Sequence, residues 1–391
     1  MTFDWDRVIS REGTASVKYD GRARYFGTAD VMPLWVADMD FAAPEAVSQA
    51  LLERAAHPIY GYSFYPESLY TALIDWLQLR HGWTVQREWI VMAPGVVPSL
   101  HAAALAFAEP GQAVIAQPPV YFPFFSSVTT TDRKLVLNPL RLDAGRYHID
   151  FDHLEQCAAE GARVLFLCSP HNPVGRVWQA QELQEILRIA RQYDLVVLSD
   201  EIHADLVYPD HRHTVLAALA QQGERVITAM APNKTFNIAG LGLSCLIVPH
   251  AEDRAAMVKV FDSLHLNNCN PFSSAAFEAA YREGAAWLDS LMQYLQESRE
   301  FVRDYLQAYL PQIKLIQPEG TFLLWLDCRD LKLNDEQLRD FFVRQAKVGM
   351  NPGSVFGENG SGFMRLNIGA PRAVVTEALK RIVHALHGKQ I

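Results

Sequence analysis

A lysine directly after an apolar strand is chemically expensive, and Lys234 stands there, in Met230-Ala-Pro-Asn-Lys-Thr-Phe-Asn-Ile-Ala-Gly240. Residues 225–231 read as a strand and 233–237 as the loop leaving its C-terminal end. An amine held there, its pKa lowered by desolvation, can condense with a carbonyl group. Alone the pattern is weak, because most loop lysines are solvated and inert. Two upstream stretches change that. Ser169-Pro-His-Asn-Pro-Val-Gly175 follows the apolar run 163–168, and Ser199-Asp-Glu-Ile-His203 follows Leu195-Val-Val-Leu198. Three strands thus end in polar loops offering an amide (Asn172), a carboxylate (Asp200) and an amine (Lys234), 28 and then 34 residues apart. In open α/β sheets ligands collect at that edge.

Pyridoxal phosphate needs those three chemistries: a lysine for its aldehyde, an anion for its ring nitrogen and a donor for its phenolate oxygen. In order and context the motifs resemble the fold-type I pyridoxal-phosphate enzymes, the aspartate aminotransferase superfamily. The resemblance covers nearly the whole chain. It implies that Lys234 carries the cofactor and, once displaced by substrate, takes the Cα proton. Asp200 would pair with the pyridinium nitrogen, Asn172 would donate to the ring oxygen, and Tyr121 would stack on the ring. Gly95, Val96 and Val97 match the turn that cradles the phosphate. Tyr62, in Ile59-Tyr-Gly-Tyr62, matches a tyrosine donated across a dimer interface to the neighbour's phosphate. Arg365, in Gly362-Phe-Met-Arg-Leu-Asn367, matches the arginine that grips the substrate α-carboxylate in two-pronged fashion. Ala37 and Asn172 join it in the implied substrate-binding set.

Singly, each residue has a plainer reading. Asp200 could cap a turn, Asn172 could sit in an Asx-turn, and Tyr121 could be core. The Pro94-Gly-Val-Val-Pro98 join could be an ordinary strand-to-helix turn, although Gly95 and the free N–H groups of a helix start there would seat a phosphate. Arg365 lies in an otherwise apolar run, where a structural ion pair is the alternative to a ligand contact.

Two positions depart from the aminotransferase pattern. His203 stands three residues after the aspartate, where many relatives carry tyrosine, and Gly242 stands eight after the lysine, where many carry a phosphate-binding arginine. His203 is therefore placed with the cofactor-binding residues. Together with Pro33-Leu-Trp-Val-Ala-Asp-Met-Asp-Phe41, this combination is similar to the MalY/PatB group of cysteine-S-conjugate β-lyases, also called cystathionine β-lyases. That resemblance implies α,β-elimination on a cysteine thioether, giving pyruvate, ammonia and a thiol. An aminotransferase for an aromatic or similar amino acid is the alternative, because both reactions share every step up to the carbanion. Trp35, Tyr60, Phe64 and Phe124 are candidate pocket walls, or else core or interface.

The elements that must position these groups follow a regular order. Strand patterns at 89–92, 113–117, 133–138, 163–168, 195–199, 225–231 and 241–248 alternate with helical ones at 44–56, 67–81, 98–108, 151–160 and 179–193. Such alternation predicts an α/β fold with a mostly parallel central sheet covered by helices. Helical patterns at 251–263, 273–283 and 285–310 follow, and Pro311 ends the last. Strands at 314–317, 321–327 and 363–367, with helices at 335–346 and 372–386, predict a smaller C-terminal α+β domain. The expected division is an N-terminal arm at 1–44 packing with the small domain, a large cofactor-binding domain at 45–285 and a small domain at 286–391.

With 391 residues the chain can bury a large core. Its net charge of −9 and pI near 5.8 argue against nucleic acid or an anionic membrane as main partner. No apolar run reaches spanning length and no leader-like segment opens the chain, so the cytoplasm is the default expectation. The five cysteines are scattered without C-x-x-C spacing, which implies free thiols and no metal site. Tyr62 is useful only to a neighbour, so a homodimer is expected.

Overall fold

A computed structural model describes residues 3–388. Its centre is a seven-stranded sheet of β1 (Ile90–Ala93), β2 (Ala113–Ala116), β3 (Lys134–Leu137), β4 (Val164–Cys168), β5 (Val196–Asp200), β6 (Val226–Met230) and β7 (Ser244–Ile247). Their spatial order is β1-β7-β6-β5-β4-β2-β3. Every residue of β4, β5 and β6 is buried, because helices cover both faces and leave no wet side that would force alternation.

β7 alone runs antiparallel to its neighbours. Parallel strands need a long crossover, whereas only 231–243, containing two single helical turns, connects β6 to β7. The short link makes the chain turn back at the C-terminal edge of β6. The other strands share one direction, so the ends of β1, β4, β5 and β6 open on a single edge.

Most expected elements appear within a residue or two, and Glu67–His81, Ala251–Ser263 and Phe363–Asn367 appear at the expected bounds. Gly82 ends the first of these in a left-handed conformation (φ 64°), its N–H returning to the carbonyls of Gln78 and Leu77. The expected helix at 335–346 is instead an α-helix, Asp335–Asp340, that continues as a π-helical stretch, Phe341–Gln345. The expected loop around Lys234 is a one-turn helix, Pro232–Thr235. Unexpected elements include a hairpin, Arg141–Asp143 with Arg146–His148, and a parallel pairing of Met32–Pro33 with Val348–Gly349.

Beyond the long helix Ala285–Tyr309 lies a second, antiparallel sheet of β8 (Lys314–Leu315), β9 (Leu323–Asp327), β10 (Asn351–Pro352) and β11 (Phe363–Asn367), ordered β8-β9-β11-β10. Among the described residues no helix is long and apolar enough to cross a membrane. All five cysteines are free thiols.

Candidate active site

Asp200 is the last residue of β5 and lies level with Cys168 on β4 and Ala229 on β6. Its carboxylate is buried and accepts one hydrogen bond, from the Ile202 N–H at 3.2 Å. Burial drives its pKa up to about 7, the Ile202 N–H and the Lys234 charge pull it back, and Glu201 pushes it further up. Among the described residues no side-chain cation forms an ion pair with it, so the group awaits a positive partner. A carboxyl raised in the folded state opposes folding increasingly from about pH 4 to 7 and by a constant amount above. Asp200→Asn should therefore stabilise the cofactor-free protein at pH 8 by a few kcal/mol, since displacing a pKa by one unit is worth roughly 1.4 kcal/mol. The gain should vanish near pH 4. Denaturant midpoints at the two pH values check this; a variant less stable at pH 8 contradicts it.

Lys234 rises from the one-turn helix after β6, and its Nζ donates to the Ala37 carbonyl oxygen at 2.8 Å. Burial lowers its pKa to about 8, with Arg365 adding to the effect and Asp38 and Asp200 opposing it. The amine is thus partly neutral near physiological pH.

Arg365 sits mid-strand in β11, paired with Trp325 on β9 and Asn351 on β10. It is 4% exposed and has no carboxylate partner among the described residues. Its Nη1 donates to Asn172 Oδ1 (3.0 Å), and its Nη2 donates to the Trp35 carbonyl (2.9 Å) and Asn351 Oδ1 (2.8 Å). The buried Nε has no partner, and the guanidinium lies 4.8 Å from the Phe356 ring centroid. Desolvation lowers its pKa to about 10. An arginine so placed answers the ion-pair alternative: the neutralising anion is not supplied by the protein.

Asn172 is buried and spends its oxygen on Arg365, leaving Nδ2 to donate elsewhere. Its carbonyl accepts from the Tyr121 N–H at 3.2 Å, which holds the Tyr121 segment over the loop. Tyr121 is partly accessible, and its electrostatic interactions with both Arg365 and Asp200 place it in the cleft rather than the core. His203 is 2% exposed, and neither ring nitrogen has a hydrogen-bond partner. Burial, with help from Lys234 and Arg365, drops its pKa to about 3, so the ring is neutral. Unpartnered buried nitrogens are costly, and a ligand atom would satisfy them.

Gly95 precedes the helix Val96–Phe107, which begins two residues earlier than expected. No side chain caps it, and the N–H groups of Val96 and Val97 open its first turn. Gly242 adopts a left-handed conformation (φ 58°), and a Cβ built there would lie 3.7 Å from the Pro94 carbonyl oxygen. The position that lacks arginine thus borders the anion seat.

Residues 34–41 form a strap across the cleft, and its clamps escaped the sequence reading. Asn367 Nδ2 donates to the carbonyls of Val36 and Asp38, both at 2.6 Å. Asn237 donates to Met39 and Phe41 (2.9 and 2.8 Å) and accepts from the Met39 N–H (2.8 Å). These contacts aim the Ala37 carbonyl at Lys234 and the Trp35 carbonyl at Arg365. Both asparagines lie inside the motifs around Lys234 and Arg365, and Asn351 was missed because it stands outside any. Tyr62 is fully exposed on its own chain, as are Phe64 (84%) and, to a lesser degree, Tyr60 (60%). Phe124 is wholly buried core, in edge contact with Phe166, so it walls no pocket.

A buried anion without a cation, an amine of lowered pKa, an arginine without an anion and an open helix start converge on one cleft. That donor set fits pyridoxal phosphate: aldehyde, ring nitrogen, ring oxygen and phosphate each find a matching group. The protein is a pyridoxal-phosphate-type α/β fold with its cleft at the C-terminal edge of the main sheet. It belongs to the family described as aminotransferase class I and II, whose profile matches residues 29–382. It is 41% identical to cystathionine beta-lyase PatB of Bacillus subtilis over 98% of this chain and 100% of that one. It is 31% identical to protein MalY of Escherichia coli over 98% and 99% of the two chains. Among solved structures, cystalysin from Treponema denticola, which contains pyridoxal 5'-phosphate, superposes with a TM-score of 0.96 at 36% identity, covering 99% of this chain and 100% of that one. A pyridoxal-phosphate-bound C–S lyase from Staphylococcus hominis gives 0.92 at 31% identity, covering 99% of each chain.

Proposed function

We propose that the protein is a pyridoxal-phosphate-dependent carbon–sulfur β-lyase that cleaves cystathionine or another L-cysteine thioether to pyruvate, ammonia and a thiol. The observation that carries the reading is the set of three buried charges, Lys234, Asp200 and Arg365, none neutralised by an ion-pair partner among the described residues. The relatives named as lyases favour elimination over transamination.

Arg365 binds the α-carboxylate through N–H groups that the protein leaves free, the unpartnered Nε–H among them, while Asn172, Asn351 and the Trp35 carbonyl hold the guanidinium in place. When pyridoxal phosphate is bound, Asp200 would hold its ring nitrogen, Asn172 and His203 its ring oxygen, Tyr121 its ring and the Gly95–Val97 turn its phosphate. Bound pyridoxal phosphate provides an electron sink for the pair left at Cα. Lys234 Nζ takes the Cα proton, and the Ala37 carbonyl keeps that amine aimed into the cleft. The Cβ–S bond then breaks and the thiolate leaves, and the released enamine takes up water to give pyruvate and ammonia. Ala37 and the strap form the wall behind the substrate.

The test is one incubation of purified, cofactor-loaded protein with cystathionine and S-alkyl cysteines. Pyruvate and thiol should form together without added keto acid; turnover only when a keto acid is supplied would replace the lyase reading with the aminotransferase one.

The active unit is a homodimer in which Tyr62 reaches the neighbour's phosphate. Support comes from the run Ile59, Tyr60, Tyr62 and Phe64, all 60% exposed or more, a concentration of apolar surface unusual for a free monomer. Sedimentation at micromolar concentration should give twice the chain mass of 44.0 kDa, and a fully active monomer would refute the arrangement. We also divide the chain into an arm at 1–44, a large domain at 45–285 and a small one at 286–391, supported by the two separate sheets.

A further inference from the structure

Behind the cleft floor lie two buried histidine–carboxylate pairs with no place in the scheme above. Glu201 follows Asp200 directly, and its side chain is fully buried. Its Oε2 meets His213 Nε2 at 2.6 Å, and its Oε1 accepts from Ser199 Oγ (2.8 Å) and the Leu216 N–H (3.1 Å). The second pair is Asp205 with His81, joined Oδ1 to Nε2 at 3.0 Å. Asp205 Oδ1 also accepts from Trp76 Nε1 (3.1 Å), and Oδ2 accepts from Thr235 Oγ1 (3.0 Å). The two imidazoles meet edge to face, centroids 5.6 Å apart. One chain of contacts thus runs from the neighbour of Asp200 to Thr235, the neighbour of Lys234.

We propose that His213 is a positioning residue for the cofactor: by sharing a proton with Glu201 it cancels that buried charge, leaving Asp200 as the one negative group presented to the ring nitrogen. This rests on the pyridoxal-phosphate reading and deepens it. Two adjacent carboxylates, both desolvated, repel strongly, and one then keeps its proton. Glu201 does push Asp200 toward the protonated form, and Asp200 titrates near neutrality, where a modest change of local charge decides its state. Three partners, His213, Ser199 and the Leu216 N–H, hold the Glu201 carboxylate turned away from the cleft. The groups facing His213 are Glu201, directly after β5, and His81 at the end of the helix Glu67–His81, itself backed by Asp205. Asp205 is held below its usual range: burial opposes ionisation, and His81, Thr235 and Trp76 outweigh it. That second pair carries its own compensation, so His213 is the group available to Glu201.

The test compares the dissociation constants of pyridoxal phosphate and of its 1-deaza analogue, which has carbon in place of the ring nitrogen, at pH 7.5. His213→Gln should weaken the natural cofactor by about tenfold, the change equivalent to one pKa unit at Asp200. Binding of the analogue should be unchanged, because it offers Asp200 no proton to share. The double variant Glu201→Gln, His213→Gln removes both charges and should restore the natural cofactor's affinity. Equal weakening of both cofactors means a merely structural role and overturns the proposal, as does no weakening of either, or a double variant no better than the single one. Asp200→Asn separates the two levels: it should discriminate between the cofactors. If it does and His213→Gln does not, only the role of His213 falls; if Asp200→Asn binds both as the parent does, the assignment of Asp200 falls.

Discussion

Lys234→Ala, loaded with pyridoxal phosphate, should release pyruvate from a cysteine thioether at least about 10³-fold more slowly than the parent. A positioned general base alone contributes about 10²–10⁴, and this residue is also the one that anchors the cofactor. Its Nζ carries a pKa of about 8, close to the pH at which a base combines adequate strength with a useful neutral fraction. The loss should be chemical rather than structural. The substitution removes a single hydrogen bond, to the Ala37 carbonyl, worth roughly 1 kcal/mol. The cofactor should still bind but dialyse away. Ethylamine at high concentration should recover part of the rate by supplying the missing amine. Undiminished turnover in the variant removes Lys234 from the chemistry.

Lys234, Asp200 and Asn172 were legible because each follows a strand whose apolar run needs no partner to be recognised. The shared strand direction then brings loops 28 and 34 residues apart onto one edge. Arg365 was legible for the opposite reason, as a cation inside an apolar strand. What escaped is what depends on pairing across the chain. His81 and Asp205 lie 124 residues apart, and neither end carries a local pattern. The turn at Lys234 is too short for helical periodicity to register. β7 has the same apolar run as its neighbours, and only the short link before it, too short for a crossover, reveals its reversed direction. The strap of 34–41 has no secondary structure, and its order comes from partners distant in the chain: the side-chain amides of Asn237 and Asn367, and Arg11 and Lys18 on Asp38 and Asp40. Asn237 holds a left-handed backbone (φ 56°), which asparagine tolerates better than most residues.

Arg365→Lys should reduce kcat/KM by roughly 30-fold to several thousand-fold, the range that follows from about 2–5 kcal/mol for truncating one member of a buried charge pair. Most of that should fall on KM. The α-carboxylate carries its full charge in both ground and transition states, so its partner stabilises both alike. Lysine keeps the charge but not the geometry. The parent guanidinium already gives Nη1 to Asn172 and Nη2 to Asn351 and the Trp35 carbonyl, and its Nε is unused. A single ammonium cannot hold those acceptors and a planar anion together. In the variant Asn172 is released from its partner, so its amide is free to turn and its hydrogen bond to the cofactor weakens. A small fall in kcat should accompany the rise in KM for that reason. The competitor 3-(methylthio)propanoate, which has the thioether and carboxylate but no amine, separates recognition from chemistry. It should inhibit the parent and bind the variant at least tenfold more weakly, because its only charged contact is the one whose planar geometry lysine does not reproduce. Equal inhibition of both proteins would place the substrate carboxylate elsewhere and return Arg365 to a structural role.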